Sequence, residues 1–377
     1  MAAPMKSDAV GIAACDEVVF VGTHGIEDQI SNLGVWDIRT GNLLQTFRNG
    51  STAPYSLCLL GNEGLLAASH TKPVIHVWSM LRQSQKHRKL ICGKMVCCLA
   101  ITPDGNYIAA GLEDKLHIWQ VCTGELYSVL THCSAELKCL KFSPTGEFLV
   151  AGYKDGTVAV WELQDSLHQD TVRIADQHPI STFAGHTGEI TGLHITLTNK
   201  VVSSAVDFTV KVWDLLSSEE LKMFELGAPV CSVIVDHSEF ILYAGDYNGN
   251  VYCIDLFYQP GERSVHIDTR EESPAFTSYV AHVGPVQHMC LTSDQSKLVT
   301  ASDDKLVKIW SLMSPVSPIV ITVNDKVSNL LVVPTPNALI FPDHKPRVTI
   351  GNLSRHLHST DDTNEEVEIT IFIGKPL

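Results

Sequence analysis

Two sets of side chains in this 377-residue chain have the types that do chemistry: His186, Ser203 and Asp207, then His282, Thr300 and Asp304. A histidine, a hydroxyl and a carboxylate are the base, nucleophile and orienting group of an acyl-transfer hydrolase. Each trio, however, is followed six residues after its aspartate by a tryptophan, Trp213 or Trp310. A buried indole N–H needs an acceptor. The four residues therefore read as a structural hydrogen-bonded chain, with Ser or Thr bridging Trp to His and His reaching the Asp. Each such bond contributes about 1 kcal/mol net, and breaking one leaves a buried polar group unpaired at a cost of about 1–3 kcal/mol. No catalytic residue is assigned. The sequence has no P-loop, dinucleotide fingerprint, zinc-protease helix or Gly-x-Ser-x-Gly, so no enzyme, cofactor or metal site is expected.

The stretch that must hold the first set, residues 185–214, opens on Gly-His, alternates apolar and polar residues, turns at Asp207 and closes on Trp213-Asp214. Period-two alternation broken by turn residues is the pattern of half-buried antiparallel strands. Gly-His at the start and Trp-Asp at the end of about 40 residues mark a WD-repeat propeller blade. The unit recurs. Trp36, Trp78, Trp119 and Trp161 follow one another at 41 or 42 residues, and Trp213 and Trp310 come 52 and 97 residues further on. Each of the six follows Val or Ile, and Ile254 stands where a seventh would fall. The expectation is an all-β, seven-bladed WD-repeat β-propeller over residues 1–353. A ring must hide its strand edges, so residues 327–333 are expected to share the closing blade with the N-terminal strands. An incomplete eighth blade, built from 319–323, 327–333 and 338–341, is the competing reading. The tail 354–377 is polar and acidic and is read as mostly disordered.

Only the fifth and seventh units keep the whole set. The fourth has His132, Asp155 and Trp161 but Ala151 at the hydroxyl position; the third has Glu113 at the Asp position; the sixth has Asn248 and Ile254. These blades are predicted to depend on strand pairing and apolar packing, and to be softer.

Composition bounds the function. Net charge is −15, so no global field draws nucleic acid, and RNA contact would need a local basic patch or be indirect; proteins are the expected direct partners. No run of about 18 apolar residues exists, and residues 1–14 lack the apolar core of a secretory signal. The eleven cysteines form no C-x-x-C pair, and Cys58, Cys139, Cys231, Cys253 and Cys290 fall in apolar runs. They read as buried thiols of a reducing compartment rather than zinc ligands.

Three segments exceed the minimal repeat: 82–89, 164–179 and 257–274. Each follows the third strand of its unit, so all three should emerge on one face, opposite the Gly-His turns. Long loops on a rigid scaffold tend to be functional, and the alternative is tolerated surface insertion. The candidate docking residues are Arg82, Lys86, Arg88, Lys89, Arg173, Arg263 and Arg270. Lys86-His87-Arg88-Lys89 also has the composition of a nuclear import signal, an RNA contact or a plain solvated basic loop.

Beyond the generic repeat, the chain resembles the WD repeat-containing protein 18 family, metazoan relatives of the Ipi-type propeller of the yeast Rix-one complex. The resemblance covers about 18–353. It rests on the Met-Ala-Ala-Pro-Met start, Val35-Trp36-Asp37 followed by Gly41-Asn42-Leu43-Leu44, and the order of strong and weak blades. Most specific is the Trp-less sixth blade ending Ile254-Asp255-Leu256-Phe257, with Pro260-Gly261-Glu262-Arg263 after it. The resemblance implies a non-catalytic scaffold in nucleolus and nucleoplasm, with the cytoplasm as a further compartment. It would act on large-subunit precursors and in removal of the internal transcribed spacer. The implied partners are a Rix-type helical-repeat scaffold, the rRNA-processing nuclease module and a midasin-type ATPase. Family members end in a charged helical segment, whereas this sequence reaches Leu377 without heptads, which leaves the oligomeric state open. Two alternatives come from other classes. Trp36-Asp37-Ile38-Arg39 matches the W-D-x-R element of cullin-type ubiquitin ligase receptors, and a G-protein-β-like signalling scaffold is the third reading.

Overall fold

Strands form where Val, Ile and Leu occupy alternate positions and Gly, Asp, Ser or Pro break the run. The computed structural model describes residues 16–24, 32–48, 50, 52–61, 63–80, 87–164, 178–258, 263–267, 276–314, 316–340, 350–351 and 353–354. In it seven antiparallel sheets follow one another around a ring, a seven-bladed β-propeller. Blade 1 combines β1 (Glu17–Thr23), β2 (Leu33–Asp37) and β3 (Leu43–Phe47) with a strand from far down the chain. Blade 2 is β4 (Cys58–Leu60), β5 (Gly64–Ala68), β6 (Val74–Ser79) and β7 (His87–Ile91). Blade 3 is β8 (Val96–Ile101), β9 (Tyr107–Leu112), β10 (Lys115–Gln120) and β11 (Leu126–Thr131). Blade 4 is β12 (Leu137–Phe142), β13 (Phe148–Tyr153), β14 (Thr157–Glu162) and β15 (Ser181–Ala184). Blade 5 contains β16 (Ile190–Ile195), β17 (Lys200–Ala205), β18 (Thr209–Asp214) and β19 (Glu220–Glu225). Blade 6 starts with β20 (Val230–Val235), β21 (Ile241–Asp246) and β22 (Asn250–Asp255).

The segment after β22 does more than return to its own blade. β23 (Ser264–His266) pairs in parallel with β19, adding a fifth strand to blade 5, and only then does β24 (Phe276–Val280) complete blade 6. Ile267 is buried beside Phe224 and Ile254, so the insertion seals the outer seam between blades 5 and 6. Blade 7 is β25 (Val286–Leu291), β26 (Lys297–Ser302), β27 (Leu306–Ser311) and β28 (Ile319–Thr322).

The ring closes through β29 (Val327–Pro334), which pairs antiparallel with β1 from Glu17↔Pro334 to Thr23↔Val327. β28 is used up by blade 7, which leaves no eighth sheet among the described residues. A polar latch fixes the closure. Asn329, buried, accepts from Ser56 N (3.0 Å) and Leu57 N (3.2 Å) and donates to Ala53 O (2.6 Å). Ser328 Oγ and Thr52 Oγ1 lie 2.6 Å apart beside it. Of the expected strand at 338–341, residues 338–340 lie instead in a helical turn, Asn337–Ile340, and Phe341 lies outside the described residues. Pro334 and Pro336 lack the N–H groups a ladder needs, and Leu339 N bonds back to Pro336 O while Ala338 and Leu339 bury under blade 1.

Candidate functional site

The two complete sets are hydrogen-bonded chains. In blade 5 Trp213 Nε1 donates to Ser203 Oγ (2.9 Å), Ser203 Oγ lies 2.7 Å from His186 Nε2, and His186 Nδ1 lies 3.1 Å from Asp207 Oδ2. In blade 7 Trp310 Nε1 donates to Thr300 Oγ1 (3.0 Å), which is 2.8 Å from His282 Nε2, and His282 Nδ1 is 3.0 Å from Asp304 Oδ2. These partners assign one tautomer: Nδ1–H donates to the carboxylate and Nε2 accepts from the hydroxyl. Burial lowers the His282 pKa against the opposing pull of Asp304, which keeps the ring neutral. Burial alone would raise the Asp207 pKa. The donors His186, Thr209 Oγ1 and Thr187 N outweigh it and hold that carboxyl well below its usual range. Ser203 and Thr300 are fully buried and each hydroxyl is engaged on both sides, so neither can meet a substrate.

The remaining blades solve the same problem differently. In blade 3 Glu113 turns outward to Lys94 (2.5 Å), and the Trp119 indole donates to Ser354 O (2.8 Å), supplied by the far end of the chain. That C-terminal strap lies against the turn after β10: Gly351 N bonds Val121 O, Ser354 N bonds Gly124 O, and Leu353 is buried among blade 2 and blade 3 side chains. A Cβ on Gly351 would sit 2.2 Å from the Thr123 carbonyl carbon, so only glycine allows this approach. In blade 2 Trp78 Nε1 donates to Arg48 O (2.9 Å), and the His76 and His87 rings stack on its indole at 5.4 and 5.5 Å. In blade 6 Asp246, fully buried, accepts from Tyr252 Oη (3.0 Å), Asn250 N (2.7 Å) and Asn250 Nδ2 (2.8 Å), while Ile254 fills the tryptophan position. In blade 1 the Trp36 ring packs beneath Gly34 and into the seam with blade 7. Blade 4 has no such substitute: the Trp161 Nε1 and Tyr153 Oη atoms are buried with no hydrogen-bond partner among the described residues.

The loops sort into two faces. Turns entering each blade meet second-to-third-strand turns, as in Tyr247 N to Pro229 O and Asp303 N to Pro285 O. On the other face first-to-second-strand turns meet third-to-fourth-strand turns, as in Leu215 N to Asn199 O and Leu256 N to Phe240 O. Of the candidate docking residues, Arg82, Lys86, Arg173 and Arg270 lie outside the described residues. Arg88 and Lys89 are not in a loop: they belong to β7, whose alternation buries Leu90 and turns Lys89 outward. Arg263 is exposed, but its carbonyl accepts from Met223 N (2.7 Å), which places it on the rim of blade 5 rather than over blade 6.

On this second face Glu239 ties blade 5 to blade 6. Its buried carboxylate accepts from Thr198 N (3.0 Å), Thr198 Oγ1 (2.7 Å) and Lys200 Nζ (2.8 Å). Burial pushes its pKa up, and these donors bring it down to about 2. On the first face the channel mouth is a cavity of about 480 Å³, lined in part by Met95, Glu136, Lys138 and Glu189. Tyr55 crosses beneath it, donating to Cys231 O (3.3 Å) and packing on His288 (4.8 Å between centroids). The thiols of Cys58, Cys139 and Cys231 are pushed up to about 12 by burial, and Cys253 to about 11, far from the thiolate form that reacts or binds metal. Among the described residues no His, Cys, Asp or Glu cluster has the arrangement of a metal site, and no helix is long and apolar enough to cross a membrane.

Comparison with known proteins agrees with this architecture. The family described as WD domain, G-beta repeat matches residues 84–120, 124–162 and 274–311, and the TEP-1 C-terminal beta-propeller family matches 186–256. Human WD repeat-containing protein 18 is 30% identical over 336 residues, spanning 88% of this chain and 76% of the human one. The chain belongs to the WD repeat-containing protein 18 family. The Danio rerio protein of the same name is 29% identical, with 88% and 77% of the two chains covered. The Schizosaccharomyces pombe pre-rRNA-processing protein crb3/ipi3 is 25% identical over 329 residues, 79% of this chain and 73% of its own length. In this member of the WD repeat-containing protein 18 family, four features have no motif of their own: the Asn329 latch, the Asp246–Tyr252 pair, the Ser354 strap and the Glu239 clamp. The one signal available for Asp246 was an acidic residue opening the same Asp-Tyr-Asn-Gly turn that marks the weak sixth repeat.

Proposed function

We propose that this chain is a non-catalytic scaffold in pre-rRNA processing during large ribosomal subunit maturation. The observation that carries the reading is the similarity to a pre-rRNA-processing protein along most of a closed propeller. The polar chains that look catalytic are consumed inside the blades, which leaves turns and rims as the recognition surface. Within this reading the chain works in a Rix-one-type complex in the nucleus, in nucleolus and nucleoplasm. A Rix-type helical-repeat scaffold, a nuclease module and a midasin-type ATPase are its neighbours, and contact with RNA passes through them. Depletion followed by blotting for spacer-containing precursor RNA, with affinity purification of the tagged chain, tests it. Precursor should accumulate and large-subunit precursors should co-purify. Normal processing, with a cullin adaptor recovered instead, would replace it by the ubiquitin ligase reading that Trp36-Asp37-Ile38-Arg39 favours. Arg39 is exposed in the blade 1 outer turn, where its amide bonds Asp37 Oδ1 (2.9 Å).

A further inference from the structure

The innermost strand of blade 2 is cut short. β4 has three residues, whereas β8, β12, β16, β20 and β25 each have six. Residues 53–57 occupy the missing half, with a turn at Pro54 and Tyr55 in place of a strand. Pro54 has no N–H for a ladder, and Tyr55 stands at φ +52°, a left-handed backbone that bulky side chains avoid. The turn sends the Tyr55 ring across the channel. Its backbone O accepts from Leu99 N of blade 3 (3.1 Å), and the ring packs against the cores shared by blades 3, 4 and 5. At the far side it meets Cys231 O of blade 6 and the His288 ring of blade 7.

The ring separates two compartments. Towards the first face it floors the 480 Å³ cavity, with Cys97 and Cys231 in the walls. Towards the second face the innermost strands carry Cys58, Lys141, His194 and Cys290. The Lys141 charge acts on the other three, which belong to blades 2, 5 and 7, so these side chains share one space across the axis.

The strand that closes the ring also holds Tyr55 in place. The Asn329 side chain brackets it: Nδ2 donates to Ala53 O, two residues before, and Oδ1 accepts from Ser56 N and Leu57 N, just after. Ser56 Oγ donates to Ala53 O (2.5 Å) and shuts the turn. At the other end of the side chain the hydroxyl bond to Cys231 O is 3.3 Å, longer than O–H···O bonds normally are. A strained residue with a weak far contact is thus fixed mainly at its base.

We propose that Tyr55 is a plug dividing the channel into two blind wells, and that the ring-closing Asn329 latch keeps it seated, so that loosening the closure unseats the ring and joins the wells. Ring closure and access to the channel interior then form one conformational device.

The reporters are the channel thiols, Cys231 above the ring and Cys58 below it. The full chain is labelled with N-ethylmaleimide and the rate at each cysteine is read by peptide mass spectrometry, beside amide exchange in β18 of blade 5 as the measure of global unfolding. In the parent both thiols should label slowly, because burial keeps them protonated. Tyr55→Ala should speed both by roughly 10-fold or more, whereas Tyr55→Phe, which keeps the ring, should stay within about 3-fold. Asn329→Ala, distant in sequence from both thiols, should speed both by at least roughly 10-fold more than it speeds β18 exchange. Ser56→Ala loosens the turn while leaving Asn329 in place; it should act in the same direction by roughly 3-fold, and it decides the matter if Asn329→Ala does not fold. Thiol rates unmoved by Tyr55→Ala would show that the ring closes nothing. Rates raised by Tyr55→Ala but by neither latch variant would separate the plug from the closure. Thiol labelling and β18 exchange rising by one common factor would show global unfolding instead. Each of these three results would overturn the proposal.

Discussion

The contrast between blades 4 and 5 supplies a quantitative test of how tryptophan is used here. Trp161 and Trp213 occupy the same register position and are both buried, but the Trp213 indole N–H donates to Ser203 Oγ at 2.9 Å, whereas the Trp161 N–H has no partner among the described residues. Replacing each by Phe deletes the same atoms. The lost apolar contact is similar at the two sites and cancels in the difference. What remains is one hydrogen bond, worth about 1 kcal/mol net, lost in Trp213→Phe, and one unpaired donor, costing about 1–3 kcal/mol, relieved in Trp161→Phe. Trp213→Phe should therefore destabilise by about 2–4 kcal/mol more than Trp161→Phe. Urea unfolding followed by circular dichroism reads this as a difference in midpoint at equal m. Equal losses, within about 0.5 kcal/mol, would refute the reasoning, because surface-like scatter of that size carries no hydrogen-bond information.

Three further outcomes follow from the same bookkeeping. Asn329→Ala leaves the Ser56 and Leu57 amides unpaired at the closure and should cost about 2–4 kcal/mol in the same unfolding assay, whereas Asn248→Ala, at an exposed turn, should stay within about 0.5 kcal/mol. Leu353→Ala should cost about 2–3 kcal/mol and speed hydrogen exchange in β11, since Leu126 N bonds Ser354 Oγ (2.8 Å) and the strap would loosen. Glu239, with its pKa lowered from 4.5 to about 2, adds stability that is fully present above pH 4.5 and is lost as pH falls toward 2. Glu239→Gln should therefore be less stable than the parent by about 1–3 kcal/mol at pH 6, and the gap should shrink through that window; a gap independent of pH would contradict the assignment.

The repeat was legible because one residue type, tryptophan, sits in one register, and because Gly-His and Asp stand at fixed distances from it. The closing strand was legible too, since an open sheet edge is a liability and 327–333 was the apolar run available to cover it. Two features had no sequence signal because they depend on contacts between residues far apart in the chain. Nothing local to Trp119 says that Ser354 will accept its N–H, and nothing local to Phe257 says that Phe240 will lie beside it. Residues 338–341 read as strand because they are apolar, and the deciding fact was the two prolines that deny the ladder its donors. The basic run at 86–89 read as loop by composition, while the period that places Leu90 inward carried Arg88 and Lys89 into a strand. The insertion after Phe257 was placed correctly between third and outer strands, but its detour onto β19 as a parallel strand has no sequence period of its own at three residues.

The account stands on a ring shut by its two chain ends, and hydrogen exchange across β29 measures this most directly. Amides of 327–333 and of β1 should exchange as slowly as those of β17 and β18 in blade 5, and should accelerate together in Asn329→Ala. Exchange of 327–333 within seconds, while blade 5 stays protected, would mean that the ring is open between blades 1 and 7 and would contradict a closed scaffold.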